Sequence, residues 1–379
     1  MSILAVLCAV LAVFGVFQSL FGWFAVFRFA RLPEAVPSSR PGITVLRPMC
    51  GTEPMLEEAL VSIFSQDYPD YQIVCGLQDP TDPALEVLER VRARFPERDV
   101  AVVVDSTPHG QNRKVANLIN MLPSAKHEIL VISDSDLHIP PSYLDSLVGE
   151  LQKPGTGMVC SLYAGLAPRS GGIFERLGAM QITHAFLPGV LMSRMMGRQD
   201  CLGSTTMMTR DVLERTGGLS ALSDLLAEDN ALGRKVLALG LEIRLSFAVA
   251  AATVPESTMQ DLWLHETRWT RTIRGLAPYA LAASSLQYPL FWALLSVLWS
   301  GAEAWSLCLL LACWLVRALC AAGIEAALKP HLKSPLAPTS LWAFPVRDVL
   351  SVTEIVATYG IDNVVWRGHK IYANGGLRP

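Results

Sequence analysis

No charged residue occurs between Met1 and Phe27, and the first basic side chains, Arg28, Arg31 and Arg40, come only after that run. An apolar stretch of this length must end in a protein core or in a lipid bilayer, and it is long enough to span the latter. A cleaved leader would carry positive charge ahead of its apolar part and a small-residue cleavage site behind it. Neither is clear here, so residues 1–30 read as a retained membrane anchor. Basic residues behind the span place that end, and the chain up to the next span, on the cytoplasmic side.

A second apolar region lies toward the C-terminus. Residues 281–302 are uncharged and residues 305–324 carry only Arg317, with Glu303 in the link, so 281–327 is expected to hold two transmembrane helices in a hairpin. Lys329, His331 and Lys333 repeat the basic flank. Residues 340–366 are apolar yet contain Arg347, Asp348, Glu354 and Asp362. That segment reads either as a helix lying in the interface or as a third C-terminal crossing packed inward. These ends account for a composition of 51% hydrophobic and only 17% charged residues. A net charge of -3 gives no reason to expect nucleic acid as a partner. The cysteines show no metal-type spacing, and they read as small buried hydrophobes without disulfides.

Between the ends, residues 42–276 have the pattern of an α/β domain. Short β-branched runs at 43–46, 72–77, 100–104, 129–132 and 158–162 alternate with helical spacing at 54–66 (Leu56, Leu60, Ile63, Phe64) and 83–95 (Leu85, Leu88, Val91). Strand and helix in alternation imply a mostly parallel sheet covered on both faces. No Gly-x-Gly-x-x-Gly follows the first strand and no Walker-type loop occurs, so dinucleotide and P-loop folds lose their main support.

Chemistry gathers where strands end, the edge at which open α/β sheets bind ligands. The run Ile129-Leu130-Val131-Ile132 stops at Ser133 and then Asp134-Ser135-Asp136. Paired carboxylates there suit Mg or Mn, which would in turn hold a diphosphate; an Asx-turn ahead of a helix near Pro141 would use the same residues. Asp79 ends the second strand, either as a further acid at that edge or as a turn residue before Pro80. Lys114 stands where the loop 109–117 runs into a helix, as a phosphate or nucleotide contact or as an ordinary solvated lysine. Glu228-Asp229 opens a helix through Leu239, with Asp229 as its cap or as a general base. On a helix His265, Arg268 and Trp269 share one face, offering a metal ligand, a fork for phosphate and a flat ring; an interfacial helix would also present them.

The order of these parts resembles a known family. Gln66-Asp67-Tyr68-Pro69, Asp79, the Asn112/Lys114/Asn117 loop, Asp134-Ser135-Asp136, Glu228-Asp229 and Arg268-Trp269 ahead of C-terminal spans look like the membrane-anchored GT-A glycosyltransferases of the ceramide glucosyltransferase kind. Within that group the chain resembles the bacterial hopanoid biosynthesis-associated glycosyltransferases over nearly its whole length. The family's three aspartates match Asp79, Asp134 and Asp229, and its Gln/Arg-x-x-Arg-Trp box matches Arg268 and Trp269 with His265 in the first place, as in the hopanoid branch.

The resemblance implies a GT-A nucleotide-diphospho-sugar transferase domain. Asp79 and Lys114 would bind the uracil or ribose of a UDP-sugar, and Asp134 and Asp136 would hold nucleotide and divalent metal, with His265 a candidate third metal ligand. Asp229 would deprotonate the acceptor, Arg268 would neutralise the departing diphosphate, and Trp269 would shape the acceptor pocket. The activity it implies is inverting transfer of N-acetylglucosamine from UDP-GlcNAc to a bacteriohopanetetrol-type hopanoid, by a multi-pass enzyme of the bacterial inner membrane with its catalytic domain on the cytoplasmic face. The alternative is glucosylation of ceramide from UDP-glucose. A membrane scaffold or transporter component fits less well, because the acids lie in the middle of the chain and not in the spans.

Overall fold

The computed structural model describes residues 2–332 and 339–360 and the backbone of Asn363–Trp366 and His369–Tyr372. The β-branched runs become β1 (Ile43–Pro48), β2 (Tyr71–Leu77), β3 (Asp99–Val104) and β4 (Ile129–Ser133), and after a short β5 (Leu137–His138) comes β6 (Thr156–Leu166). β7 (Thr205–Thr209) and β8 (Glu242–Thr253) complete an 8-stranded sheet in the order β3-β2-β1-β4-β7-β6-β8-β5. β1, β2, β3 and β4 are parallel; β7 lies antiparallel between β4 and β6, which restores that direction for β6 and for β8 beside it. Only β5 and β7 are reversed, so the sheet is mixed but mostly parallel.

β7 and β8 carry little strand signal. Thr-Thr-Met-Met-Thr has no apolar alternation, and β8 ends in Ala-Val-Ala-Ala-Ala-Thr, where alanine disfavours strands. Their neighbours supply what local propensity lacks, since β7 is hydrogen bonded on both edges and β8 lies between β6 and β5.

Each face of the sheet has its own core, assigned by the two-residue period of the strands. Val45, Ile73, Val131 and Val159 pack with Leu60, Leu88 and Leu147 on one side. Leu46, Val74, Leu130 and Cys160 pack with Leu118, Leu213 and Val236 on the other. Ala25, Val26 and Phe29, from the last turns of the N-terminal helix Ile3–Phe29, join the second core, so that helix is built into the α/β domain.

The helices Ile3–Phe29 and Ala304–His331 are long and apolar enough to cross a membrane. The stretch 281–302, expected to be one span, is instead broken: Pro278–Gln287 and Pro289–Ser300 meet at a bend of 70°. The cause is Pro289, which lacks an N–H and pushes Tyr288 out of helical geometry, to φ -107° and ψ 75°. The second piece has 12 residues. At 1.5 Å per residue it extends only about 18 Å, short of the ~30 Å of a bilayer core, and only together with Pro278–Gln287 does it pass as one broken span.

The C-terminal helix Phe344–Gly360 turns its charges inward: Arg347, Asp348 and Glu354 are buried, whereas Val346 and Val356 are exposed. An interfacial helix would show its charges to water, whereas this one packs its charged face against protein. Lys333 and Asp362 lie outside the described residues.

Candidate active site

β4 is apolar and buried up to Ile132, and beyond Ser133 the chain makes the sharp turn that carries Asp134 and Asp136. Three contacts pin that turn. The N–H of Asp134 donates to the carbonyl of Ser204 (3.0 Å), the N–H of Thr253 at the end of β8 donates to the carbonyl of Asp136 (3.1 Å), and Arg47 donates from below to the carbonyls of Ser135 (2.9 Å) and Leu137 (3.1 Å). Arg47 is fully buried, and its place inside the apolar run of β1 was the sequence signal for this support. Asp134 does not cap the following helix, Tyr143–Leu151, which starts after Ser142 without a side-chain cap.

Lys114 is the second residue of the helix Arg113–Met121, started by Asn112, whose side chain accepts the N–H of Val115. Its ammonium lies 2.7 Å from Asp134 Oδ1 and 3.5 Å from Glu228 Oε1. The loop before it is tied to the segment ahead of Glu228, with the N–H of Asn112 donating to Ser223 O (2.7 Å) and that of Gln111 to Asp224 Oδ1 (2.9 Å). The Asn112 side-chain amide adds Leu225 O (2.7 Å) and Glu228 Oε2 (3.2 Å). Segments far apart along the chain thus form one wall.

Glu228 and Asp229 form the first turn of the helix Glu228–Ala238. Asp229 is not its cap; that place is held by Ala227, and Asp229 Oδ1 accepts the N–H of its neighbour Asn230 (2.7 Å). Its other oxygen rests on Gly203 so closely that a Cβ there would stand 2.4 Å away. The Gly203 carbonyl lies 3.5 Å from the Lys114 ammonium, so the strand end of Asp134, the Lys114 helix and the Asp229 helix converge on residues 203–204.

The charges crowd. Burial, followed by the charge of Glu228, pushes the Asp229 carboxyl up to about 6. Burial, Asp134 and Glu53 push Asp136 up to about 8. Burial lowers the Lys114 pKa, but Asp134 and Glu228 more than offset this and raise it above its usual value. Tyr163 on β6 is raised by burial and, to a lesser degree, by the charges of Asp229, Asp134 and Asp136. Carboxylates that repel each other at the end of a sheet fit a divalent cation. Hard oxygen donors suit Mg or Mn, which take one or two carboxylates and complete their shell with phosphate and water.

His265 does not join that group. Its Nδ1 bonds to Glu256, its ring meets Trp269 edge-on at 4.6 Å, and no three His, Cys, Asp or Glu side chains gather as a metal site among the described residues. His265 is paired with a carboxylate, that of Glu256. Asp79 stands at the end of β2, separated from β4 by β1, where its Oδ1 accepts the N–H (2.8 Å) and hydroxyl (2.7 Å) of Thr81. Those bonds hold its carboxyl below the usual range, so the turn geometry expected beside its functional reading is present.

The box lies on the helix Met259–Leu276, capped by Thr258 through the N–H of Asp261 (3.2 Å). The His265–Trp269 contact shows the shared face on which Arg268 also falls by spacing. Thr253, which bonds to Asp136, leads through Glu256 into this helix, so the box hangs directly from the acidic turn. Sequence reasoning passed over Arg47, Tyr163 and Glu256 and assigned Glu228 no role. Glu228 could have been found beside Asp229, but Tyr163 and Glu256 carry no local mark.

The profile described as Glycosyl transferase family 21 matches residues 4–378. Ceramide glucosyltransferase 1 of Caenorhabditis elegans is 23% identical over 267 residues, covering 70% of this chain and 56% of that enzyme. The ceramide glucosyltransferase of Komagataella phaffii is 29% identical over 159 residues, 40% of this chain and 31% of that enzyme. The chain thus spans about half, or less, of the length of these relatives. Among solved structures, the mannosyltransferase PcManGT from Pyrobaculum calidifontis in complex with GDP-Man and Mn2+ superposes with a TM-score of 0.51 at 21% identity, covering 94% of this chain and 99% of that one. The fold is that of the GT-A-type glycosyltransferases.

Proposed function

The chain belongs to glycosyl transferase family 21, and from that premise we propose that it moves a sugar from a UDP-sugar to the hydroxyl of a membrane lipid. The observation that carries this reading is Asp229, half-buried against Gly203 beside the Lys114–Asp134 pair. A carboxylate pushed up toward neutrality and facing a cationic, acid-lined crevice is suited to take the proton of an attacking hydroxyl.

In this mechanism Asp79 and Lys114 bind the nucleotide, and Asp134 and Asp136 hold the diphosphate's divalent cation. Mg or Mn held there would supply charge neutralisation on the leaving diphosphate. Asp229 removes the acceptor proton while the hydroxyl attacks the anomeric carbon opposite the leaving group, which inverts its configuration. Arg268 meets the negative charge that develops on the diphosphate, and Trp269 bounds the acceptor. His265, oriented by Glu256, meets Trp269 edge-on and fixes the ring that the acceptor meets.

A lipid acceptor explains the apolar helices. Drawing an acyl or polycyclic lipid into water costs about 0.8 kcal/mol per exposed CH₂, so the crevice must come to the bilayer. The basic residues behind the first span support a catalytic domain on the cytoplasmic face, and the apolar helices support a multi-pass enzyme. Likeness to ceramide glucosyltransferases supports ceramide and UDP-glucose as the substrate pair. His265 at the first box position is what favours the second reading, transfer of N-acetylglucosamine to a hopanoid in a bacterial inner membrane.

The test is the full chain in lipid nanodiscs, offered UDP-glucose or UDP-GlcNAc with ceramide or bacteriohopanetetrol and either Mg or Mn, with lipids read by mass spectrometry. Glucosylceramide is expected. A glycosylated hopanoid alone would move the assignment to the second reading, and absence of UDP binding in the presence of Mn by calorimetry would overturn both.

A further inference from the structure

Strand β1 carries a charge where its pattern calls for a hydrophobe. Ile43, Val45 and Arg47 fall on one face by the two-residue period of a strand, and Ile43 and Val45 belong to the core that holds Leu60, Leu88 and Leu147. Arg47 is fully buried there. Its Nη2 donates to the carbonyls of Ser135 and Leu137 (2.9 and 3.1 Å), while Nε and Nη1 are buried without a hydrogen-bond partner. None of its hydrogen bonds therefore reaches a carboxylate. Arginine keeps its proton in proteins, and a charge taken out of water with no counter-ion bonded to it is destabilising, whereas an apolar side chain of similar volume is not. The reason for an arginine must lie in what it holds.

It holds the backbone on either side of Asp136. Ser135 and Leu137 flank that residue, and the Asp136 carbonyl accepts the N–H of Thr253 (3.1 Å), so three consecutive carbonyls are fixed by β1 and β8 together. On the other flank the N–H of Asp134 is tied to Ser204 (3.0 Å), and the Asp134 carboxylate meets the Lys114 ammonium at 2.7 Å. A turn clamped in this way presents two carboxylates in one fixed arrangement. That is what a small hard cation requires, since Mg demands near-ideal octahedral geometry and is held by one or two carboxylates.

Two effects of Arg47 on such a cation have opposite signs. Its hydrogen bonds keep the acids in place, and losing the groups that hold a metal ligand typically weakens metal binding about 10- to 100-fold. Its charge repels the cation, so loss of the charge alone would strengthen binding. Position governs, because Mg–O bonds of about 2.0–2.1 Å tolerate little displacement of a carboxylate, whereas the repulsion is weakened by an effective dielectric of about 20. The sign of the change in cation affinity therefore separates the two roles.

We propose that Arg47 is a positioning residue for the divalent cation that accompanies the nucleotide-sugar: it fixes the backbone around Asp136 so that Asp134 and Asp136 meet one ion. The inference rests on the sugar-transfer reading and adds to it a residue that lies beneath the crevice and touches no substrate. It is tested with the full chain in nanodiscs, with Mn binding followed by electron paramagnetic resonance in the presence of UDP and thermal unfolding measured alongside. Arg47→Met, which fills the same space, should unfold near the wild-type midpoint and bind Mn about 10- to 100-fold more weakly. Half-maximal turnover should need proportionally more Mn, with kcat recovered once Mn saturates. Arg47→Lys, which keeps the charge and a donor, should recover part of the lost affinity. A folded Arg47→Met that binds Mn as tightly as wild type or more tightly, or a loss of kcat that saturating Mn does not recover, would overturn the assignment and leave the transfer reading intact. Should Arg47→Met not fold, Arg47→Lys carries the same comparison: weaker Mn binding with kcat recovered at saturating Mn supports the assignment, and wild-type Mn affinity overturns it. Failure of the wild type to bind Mn with UDP present would instead count against the transfer reading itself.

Discussion

In the proposed mechanism the chemistry turns on Asp229, whose surroundings make its behaviour measurable. Asp229→Asn keeps shape and removes the base, so turnover should fall by about 10²–10⁴, the usual contribution of general base assistance, with UDP binding retained; near-normal turnover would remove the assignment. The carboxyl must be ionised to act, and burial and Glu228 push it up to about 6. The logarithm of kcat/KM should therefore rise with pH up to about 6 and level off above it, and Glu228→Gln, by removing the second cause, should shift that limb to lower pH. Gly203 is the other side of the same contact. A Cβ there would stand 2.4 Å from Asp229 Oδ2, so Gly203→Ala should displace the base and lower kcat while the folded protein still binds nucleotide.

At the scale of elements, the C-terminal helix and the box helix are one unit. Arg347 is 1% exposed and bonds to both oxygens of Glu266 (3.0 and 2.7 Å) and to Glu354 (3.0 Å). Glu266 adjoins His265, so the face that carries His265, Arg268 and Trp269 is oriented by a residue some eighty positions later in the chain. Removing one member of a buried ion pair leaves uncompensated charge and costs about 3–5 kcal/mol. Arg347→Ala should show that loss in detergent unfolding and a reduced kcat; an unchanged midpoint would mean the pair contributes nothing net.

At the scale of the whole molecule, the N-terminal helix is more than a tether. Its last turns place Val26 and Phe29 in the core behind the sheet, where each buried side chain contributes about 1.5–3 kcal/mol, and the carbonyl of Ala5 accepts the Ser296 hydroxyl at 2.9 Å. A chain starting at Gly42 should aggregate or elute as a misfolded species even in detergent. A monomeric, active truncation would show that the catalytic domain is independent of its anchor.

Local sequence was enough to reveal whatever depends on short-range patterning. Charge-free runs marked the apolar helices, period-two and helical spacing marked the first half of the sheet, and the end of the apolar run at Ser133 marked the turn that carries Asp134 and Asp136, because hydrophobic burial acts over a few residues. Tertiary structure alone decided the rest: β7 and β8 as strands, the acids tied to residues 203–204, His265 turned to Glu256, and the bend at Pro289 in a stretch whose charge count read as continuous. Each of these depends on a hydrogen bond, a charge or a packing surface supplied by residues distant along the chain, and such partners leave no imprint on the neighbouring residues.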